Sequence, residues 1–268
     1  MVEDRYLITA GIDQKIRIWN TDTDRIISKL NVHQYSTIFM VVHKESIFSY
    51  GFDMKLTKYN FKTKSLDCFL DLEIRMTALK LLKTPSEDNP CLKNKLAAAF
   101  ITGEVILYDL NLNQLKSTNI KSINEEIIQL INLSATEFLS FTKEGSISIM
   151  NNSTLEETKN GSIFNLKSED YIDMILIKSR EFFLFTLERQ KLEFYSASAF
   201  KKTDSWDYFF ERDMISCDKN KEGSKIFVSD KAGYTVLFNF LKHLDQSKEN
   251  LVPCNRRKDN IHEYNFRL

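Results

Sequence analysis

Six times along the chain, a short run of alternating apolar and polar residues closes on a large side chain and then a small polar one. The runs are GIDQKIRIWN (Gly11 to Asn20), GFDMKLTKYN (Gly51 to Asn60), FITGEVILYD (Phe100 to Asp109), TKEGSISIMN (Thr142 to Asn151), LERQKLEFYS (Leu187 to Ser196) and DKAGYTVLFN (Asp230 to Asn239). The large residues are Trp19, Tyr59, Tyr108, Met150, Tyr195 and Phe238, at intervals of 40, 49, 42, 45 and 43 residues. Alternation of period two places successive side chains on opposite faces of a strand, so each run predicts a β-strand in a fixed place within a repeated unit.

The units share an internal order. In the second, STIFMVVH and SIFSYGF are apolar strands, a turn at Asp53–Met54 leads into KLTKYNF, and SLDCFLD is the fourth strand. The fifth repeats this with YIDMILI, EFFLFTL, a turn over residues 188–190, KLEFYSA, and a polar strand around Lys201 to Trp206. The second strand is the most apolar in most units (YLITA, LAAAF, FLSF, FFLF, KIFV), as a strand covered on both faces must be. Only 7 Gly and 3 Pro serve 268 residues, so the turns fall to Asn, Asp, Ser and Lys. Four strands in 40–45 residues is the period of a propeller blade. The expectation is an all-β fold, a single six-bladed propeller of four-stranded antiparallel blades over residues 1–268.

The pattern resembles the WD40-repeat β-propellers, over nearly the whole chain. That family places His before the first strand, Ser or Thr in the second, Asp in the following turn and Trp-Asp at the end of the third. The second unit matches with His33, Ser49, Asp53 and Tyr59-Asn60, and the first with Thr9, Asp13 and Trp19-Asn20. The resemblance implies that these side chains form a buried hydrogen-bonded network that fixes the blade, tolerable only if its members satisfy one another. Later units depart from it: Glu144 and Met150 stand in the fourth, Arg189 and Tyr195 in the fifth, and the literal Trp206-Asp207 falls after a third strand. A seven-bladed ring, or an open ring completed by a partner's strands, is an alternative within the same superfamily.

The first unit lacks an opening strand before RYLITAG. The segment IHEYNFRL, residues 261–268, alternates His262, Tyr264, Phe266 and Leu268, with His262 in the family's His place. It is expected to supply the missing strand of the first blade and so remove an exposed edge.

Residue chemistry argues against catalysis. Lys plus Arg and Asp plus Glu both number 37, so no net field steers the chain to nucleic acid or an anionic membrane. The start has no secretory pattern, and no apolar run approaches the ~20 residues that span a bilayer. Cys68, Cys91, Cys217 and Cys254 make no C-x-x-C pair and read as reduced thiols of a cytoplasmic or nuclear protein. His33, His43, His243 and His262 form no H-E-x-x-H, and there is no G-x-S-x-G, P-loop or dinucleotide fingerprint. Glu125-Glu126 and Glu156-Glu157 are neighbours whose side chains should diverge. No catalytic centre, cofactor, metal or small-molecule substrate is expected.

Binding is the remaining class. The family's geometry gathers the turns before first strands and between second and third strands on one face, which puts Gln14, Tyr35, Met54 and Glu104 forward as partner contacts. Arg256, Arg257 and Lys258 in CNRRKDN could meet RNA phosphates or an acidic partner, and Trp206, Phe209 and Phe210 form an aromatic group. Lys83 to Asn94, with two of the prolines, lengthens the third unit as a loop between its first and second strands. The reading is a noncatalytic scaffold for a multiprotein or ribonucleoprotein complex. Its alternative is a noncatalytic subunit of an RNA-modifying or ribosome-assembly complex. A propeller hydrolase would need His and carboxylates together at a central channel, where the repeat places none.

Overall fold

In the computed structural model, the described residues are 5–82, 94–119, 125–162, 171–178, 181–186, 191–196, 201–207, 214–219, 225–230, 235–241 and 261–267. They are all-β, with no helix among them. The chain divides into two compact units, residues 1–142 with 148–160 and residues 143–147 with 161–268.

The first sheet has three strands, β1 (Tyr6–Ala10), β2 (Ile16–Asn20) and β3 (Arg25–Leu30). The second is β4 (Thr37–His43), β5 (Ser46–Gly51), β6 (Lys55–Asn60) and β7 (Ser65–Asp71), and the third β8 (Met76–Leu82), β9 (Lys95–Phe100), β10 (Glu104–Tyr108) and β11 (Gln114–Asn119). The fourth is β12 (Ile127–Asn132), β13 (Glu137–Thr142), β14 (Ser146–Asn151) and β15 (Glu157–Ser162). Strands pair in chain order, antiparallel in the second and third sheets. The loop read at Lys83 to Asn94 does fall between β8 and β9, though residues 83–93 lie outside the described set.

Packing follows from the apolar second strands. On β5, Ile47 joins Ile16, Ile18, Leu30 and Phe61 between the first and second sheets. Its neighbour Phe48 faces the other way, with Tyr50 and Leu56, onto Leu96, Ala98 and Phe100 of the third. Ala97 and Ala99 then face Phe138 and Met150 of the fourth. The second and third sheets are thus covered on both sides by their neighbours, and β8 lies against both β4 and β12.

In the second unit, the fifth sheet is β16 (Tyr171–Lys178), β17 (Glu181–Thr186), β18 (Lys191–Ser196) and β19 (Lys201–Asp207). The sixth is β20 (Met214–Lys219), β21 (Lys225–Asp230), β22 (Thr235–Leu241) and β23 (Ile261–Arg267), and β16 lies against β20. Trp206-Asp207 sits on a fourth strand, after the third, as its position in the repeat required.

Two sequence expectations change here. Residues 261–267 do not complete the first sheet. They pair with β22, Thr235 opposite Ile261 and Leu241 opposite Arg267, and the pairing is parallel. A parallel return needs a connection of a dozen residues or more, which the 19 positions from 242 to 260 provide. The sixth sheet is therefore mixed, not wholly antiparallel.

The turns explain how a glycine-poor chain makes so many hairpins. Between second and third strands, the N–H of Gln14 donates to Gly11 O (3.3 Å), that of Met54 to Gly51 O (3.0 Å) and that of Gly103 to Phe100 O (2.9 Å). The donors sit at φ of 66°, 59° and 80°, and Gly145 holds the matching place in the fourth unit at 88°. This is a tight turn followed by one left-handed residue. Residue identity varies at this position under one backbone demand, which two units meet with glycine and two do not.

After the third strand, a side-chain carbonyl or carboxylate caps the next turn. Asn20 Oδ1 accepts from the N–H of Asp22 (2.9 Å) and Thr23 (3.0 Å), Asn60 Oδ1 from Lys62 and Thr63 (both 3.0 Å), and Asn151 Oδ1 from Ser153 (2.8 Å) and Thr154 (3.0 Å). Asp109 does the same with Asn111 (2.7 Å) and Asn113 (2.9 Å), and its Oδ2 accepts from Asn113 Nδ2 (2.9 Å). The small polar residue that ends each of the first four runs is there to build this turn.

Two measurements test these turns. Gln14 is exposed and pays the left-handed penalty of an L-residue, so Gln14→Gly should raise unfolding free energy by about 0.5–1 kcal/mol in urea titration; no gain would mean that the turn relaxes in solution. Partial burial pushes the Asp109 carboxyl up, but the bonds from Asn113 and Asn111 outweigh it and leave it below the usual range. Its contribution is present above the unfolded carboxylate value and is lost as pH falls through the lowered folded one. Asp109→Asn keeps the acceptor used in three other units, and should flatten the acid limb of the stability–pH curve while leaving neutral stability nearly unchanged.

Candidate functional site

The polar network of the second sheet forms as the repeat pattern required. Asp53 is a carboxylate and only accepts, so His33 donates from Nδ1, 3.0 Å from Oδ1 and 3.2 Å from Oδ2. His33 Nε2 lies 2.8 Å from Ser49 Oγ, and Ser49 Oγ lies 2.8 Å from Thr57 Oγ1. The Thr57 hydroxyl also reaches the Ser49 carbonyl oxygen at 3.3 Å. The His33 and Asp53 side chains are 0% and 3% exposed, so none of this pairing is shared with bulk water.

The fourth member differs from expectation. Thr57, directly opposite Ser49 in the register, meets the serine. Tyr59 packs instead against the apolar cluster between the first and second sheets, and burial pushes its hydroxyl up. With Thr57 opposite Ser49, the tyrosine is free to serve packing.

The first sheet keeps the parts of the pattern and loses their closure. Trp19 Nε1 donates to Thr9 Oγ1 at 2.9 Å. Asp13 here pairs with Arg17, whose guanidinium holds the carboxyl below its usual range. Arg17 stands opposite Thr9, the place that Thr57 holds in the second sheet. In the fourth sheet the Thr142 hydroxyl donates to Glu125 Oε2 (2.7 Å) and Ser148 to Glu157 Oε1 (2.7 Å). Glu126 turns away to Arg75 at 2.8 Å, so Glu125 and Glu126 do diverge.

The network reaches outward to the edge of the sheets. Asp53 Oδ2 accepts from the N–H of Gln34 (3.0 Å), which anchors the segment carrying Tyr35. The Ser36 carbonyl accepts from the N–H of Phe52 (3.0 Å), and Ser36 Oγ donates to the Ile12 carbonyl (3.2 Å). The N–H of Leu72 donates to Met54 O (2.9 Å), and that of Ile101 to Arg75 O (3.1 Å). Ser36 thus ties the turn of the first sheet to that of the second, while the bonds at Met54 and Arg75 hold turns within the second and third sheets.

That edge is apolar and open. Ile12 is 91% exposed, Phe52 66%, Tyr35 57%, Ile101 42% and Ile74 39%. Ile12, Phe52 and Ile101 occupy the same turn position in three successive units, and Tyr35 and Ile74 precede first strands. Single exposed apolar residues are ordinary; these five stand on equivalent turns of successive sheets. Composition of the turns alone did not single out Ile12, Phe52, Ile74 and Ile101; their place in the aligned repeat is the signal that finds them.

Of the partner contacts read from sequence, Tyr35 lies in this row. Gln14 is exposed beside Ile12 and Asp13, Glu104 is half-buried at the start of β10, and Met54 turns inward against the apolar cluster between the second and third sheets. Arg256, Arg257 and Lys258, with Phe209 and Phe210, lie outside the described residues, as do Cys91 and Cys254. Cys68 is a free, half-buried thiol that donates to the Asn111 carbonyl at 3.5 Å. His43 Nε2 lies 3.4 Å from Asn94 Nδ2 at the end of β4. Among the described residues no group of three or more His, Cys, Asp or Glu could hold a metal ion, and no helix is long and apolar enough to cross a membrane. Family models gave no match to the chain, and curated proteins gave none either.

The close approach of His33 explains Gly51. A Cβ there would lie 2.8 Å from His33 Cγ and Nδ1 and 2.7 Å from Asp53 Oδ1, whereas at Gly11 the nearest atom is Asp13 Oδ1 at 3.2 Å. Gly51→Ala should therefore cost about 1–3 kcal/mol by forcing the histidine off its carboxylate. Gly11→Ala should cost less than half as much in the same denaturant titration. Equal effects would show that His33 is not clamped in solution.

Proposed function

We propose that the chain is a noncatalytic scaffold of the WD40-like kind, a six-bladed propeller on whose rigid edge other proteins assemble in the cytoplasm or nucleus. The observation that carries this reading is the coupling of a buried network to an exposed row. Bonds running from Asp53 and Ser36 hold the turns that carry Tyr35, Phe52 and Ile12. Apolar side chains already fixed in position lose little freedom on binding, which is how a rigid surface converts contact area into affinity. The repeated four-stranded sheets, with β8 lying against both β4 and β12, support the ring.

One observation favours a variant of this reading. Among the described residues, β1 has a partner on one side only, because β23 lies on β22. A strand added to β1 would complete the first sheet, so a partner's strand closing the ring is the second arrangement.

Affinity purification of the native protein from gently lysed cells tests the scaffold. A stable partner protein in near-stoichiometric amount is the expected result, with an interface of about 1,200–2,000 Å² or more. Sedimentation of the native chain as a lone monomer, or turnover of a small substrate by the purified chain, would overturn it.

A further inference from the structure

We propose that the row Ile12, Tyr35, Phe52, Ile74 and Ile101 docks a protein segment in which large apolar residues are interleaved with Lys or Arg. This rests on the scaffold reading and names the chemistry of its partner. Exposure supplies the apolar half of the argument.

Charge supplies the other half. The cations along the row are already engaged: Lys55 with Asp71 at 3.2 Å, Arg75 with Glu126 at 2.8 Å, and Arg17 with Asp13. Glu73, next to Ile74, is exposed, and Glu104, three residues after Ile101, is half-buried; neither has an ion-pair partner among the described residues. Lys15 stands only at the Ile12 end, two residues from Asp13. A basic group arriving beside Glu73 and Glu104 gains attraction that no ion pair among the described residues supplies, and an acidic group meets repulsion. The same sign disfavours phosphate, so nucleic acid and anionic lipid surfaces are poor occupants although both present themselves to many exposed edges. The row spans turns of three sheets, which suits an extended or helical segment with several anchors more than a single inserted side chain.

The test pans a phage-displayed library of random twelve-residue peptides on the full chain, and measures a synthetic copy of the enriched sequence by titration. Enriched sequences should combine Leu, Ile, Phe, Trp or Met with Lys or Arg. Affinity should fall about tenfold or more for Phe52→Ser with Ile101→Ser, and about fivefold or more for Glu73→Lys with Glu104→Lys, at unchanged melting temperature. Acidic or uncharged enriched sequences, equal affinity for the variants, or binding of the chain to phosphatidylserine vesicles or to single-stranded RNA through this row would overturn the proposal. The two readings separate in cells. If the Phe52→Ser, Ile101→Ser chain still co-purifies with every native partner, this docking surface is wrong and the scaffold stands. If the unaltered chain has no partner, the scaffold itself falls.

Discussion

A strand covered on both faces is the constraint from which the first unit is built. A single four-stranded sheet with apolar residues on both sides of its second strand has no stable existence in water, because one face would always be bare. Stacking against a neighbour on each side removes that cost. Ile47 and Phe48, adjacent in sequence, look to different sheets, and Ala97, Ala98 and Ala99 alternate in the same way. Their small size matters: larger residues at those places would push the third sheet away from Phe48 and Tyr50 on one side or from Phe138 on the other. Tyr50 shows how tight the fit is, since its ring lies against Phe39 and its hydroxyl accepts from the N–H of Met76 at 3.2 Å.

Stacking fixes the middle of the sheets but not their rims, and there the polar groups decide. In the second sheet a histidine from before the first strand, a serine from the second and a threonine from the third meet around a carboxylate in the turn. Each satisfies another, so burial costs little and removing one would strand the rest, at about 1–3 kcal/mol. The practical outcome is a turn whose backbone cannot wander. Phe52 and Tyr35 inherit that rigidity, because the same carboxylate accepts from Gln34 and the same loop carbonyl accepts from Phe52.

Period and alternation made strand order legible without help, since both are demands of the backbone that sequence must meet at every copy. His33, Ser49 and Asp53 were legible because one blade retains the complete spacing. Tyr59 misled: the family pattern puts a ring there to reach the serine, and in this chain Thr57 reaches it first from across the strand pair. The tail misled for another reason. Alternation in residues 261–268 predicts a strand and says nothing of which edge accepts it, nor of its direction, and both β1 and β22 offer one. The turn position of Gln14, Met54, Gly103 and Gly145 varies in side chain yet is left-handed in all four; side-chain identity hides a backbone constraint that only two of the four residues advertise.

Rigidity along the exposed row is uneven, and the unevenness bears on how a partner would engage it. Phe52 and Tyr35 stand on the closed network, while Ile12 stands on a turn whose exposed carboxylate faces a half-buried arginine in a three-stranded sheet. An exposed ion pair of that kind contributes little and is screened by salt. The Ile12 turn is therefore held chiefly by Ser36 and by its own backbone bond, and its sheet buries less on β1 than the second sheet does on β5. A segment that lands first on Phe52 and Tyr35 meets atoms already in place, so its encounter is decided by shape. Contact with Ile12 must then order a looser turn, and that step is where binding energy would be spent. Affinity along such a row is expected to be centred on the second and third sheets, with the first sheet adjusting to what they hold.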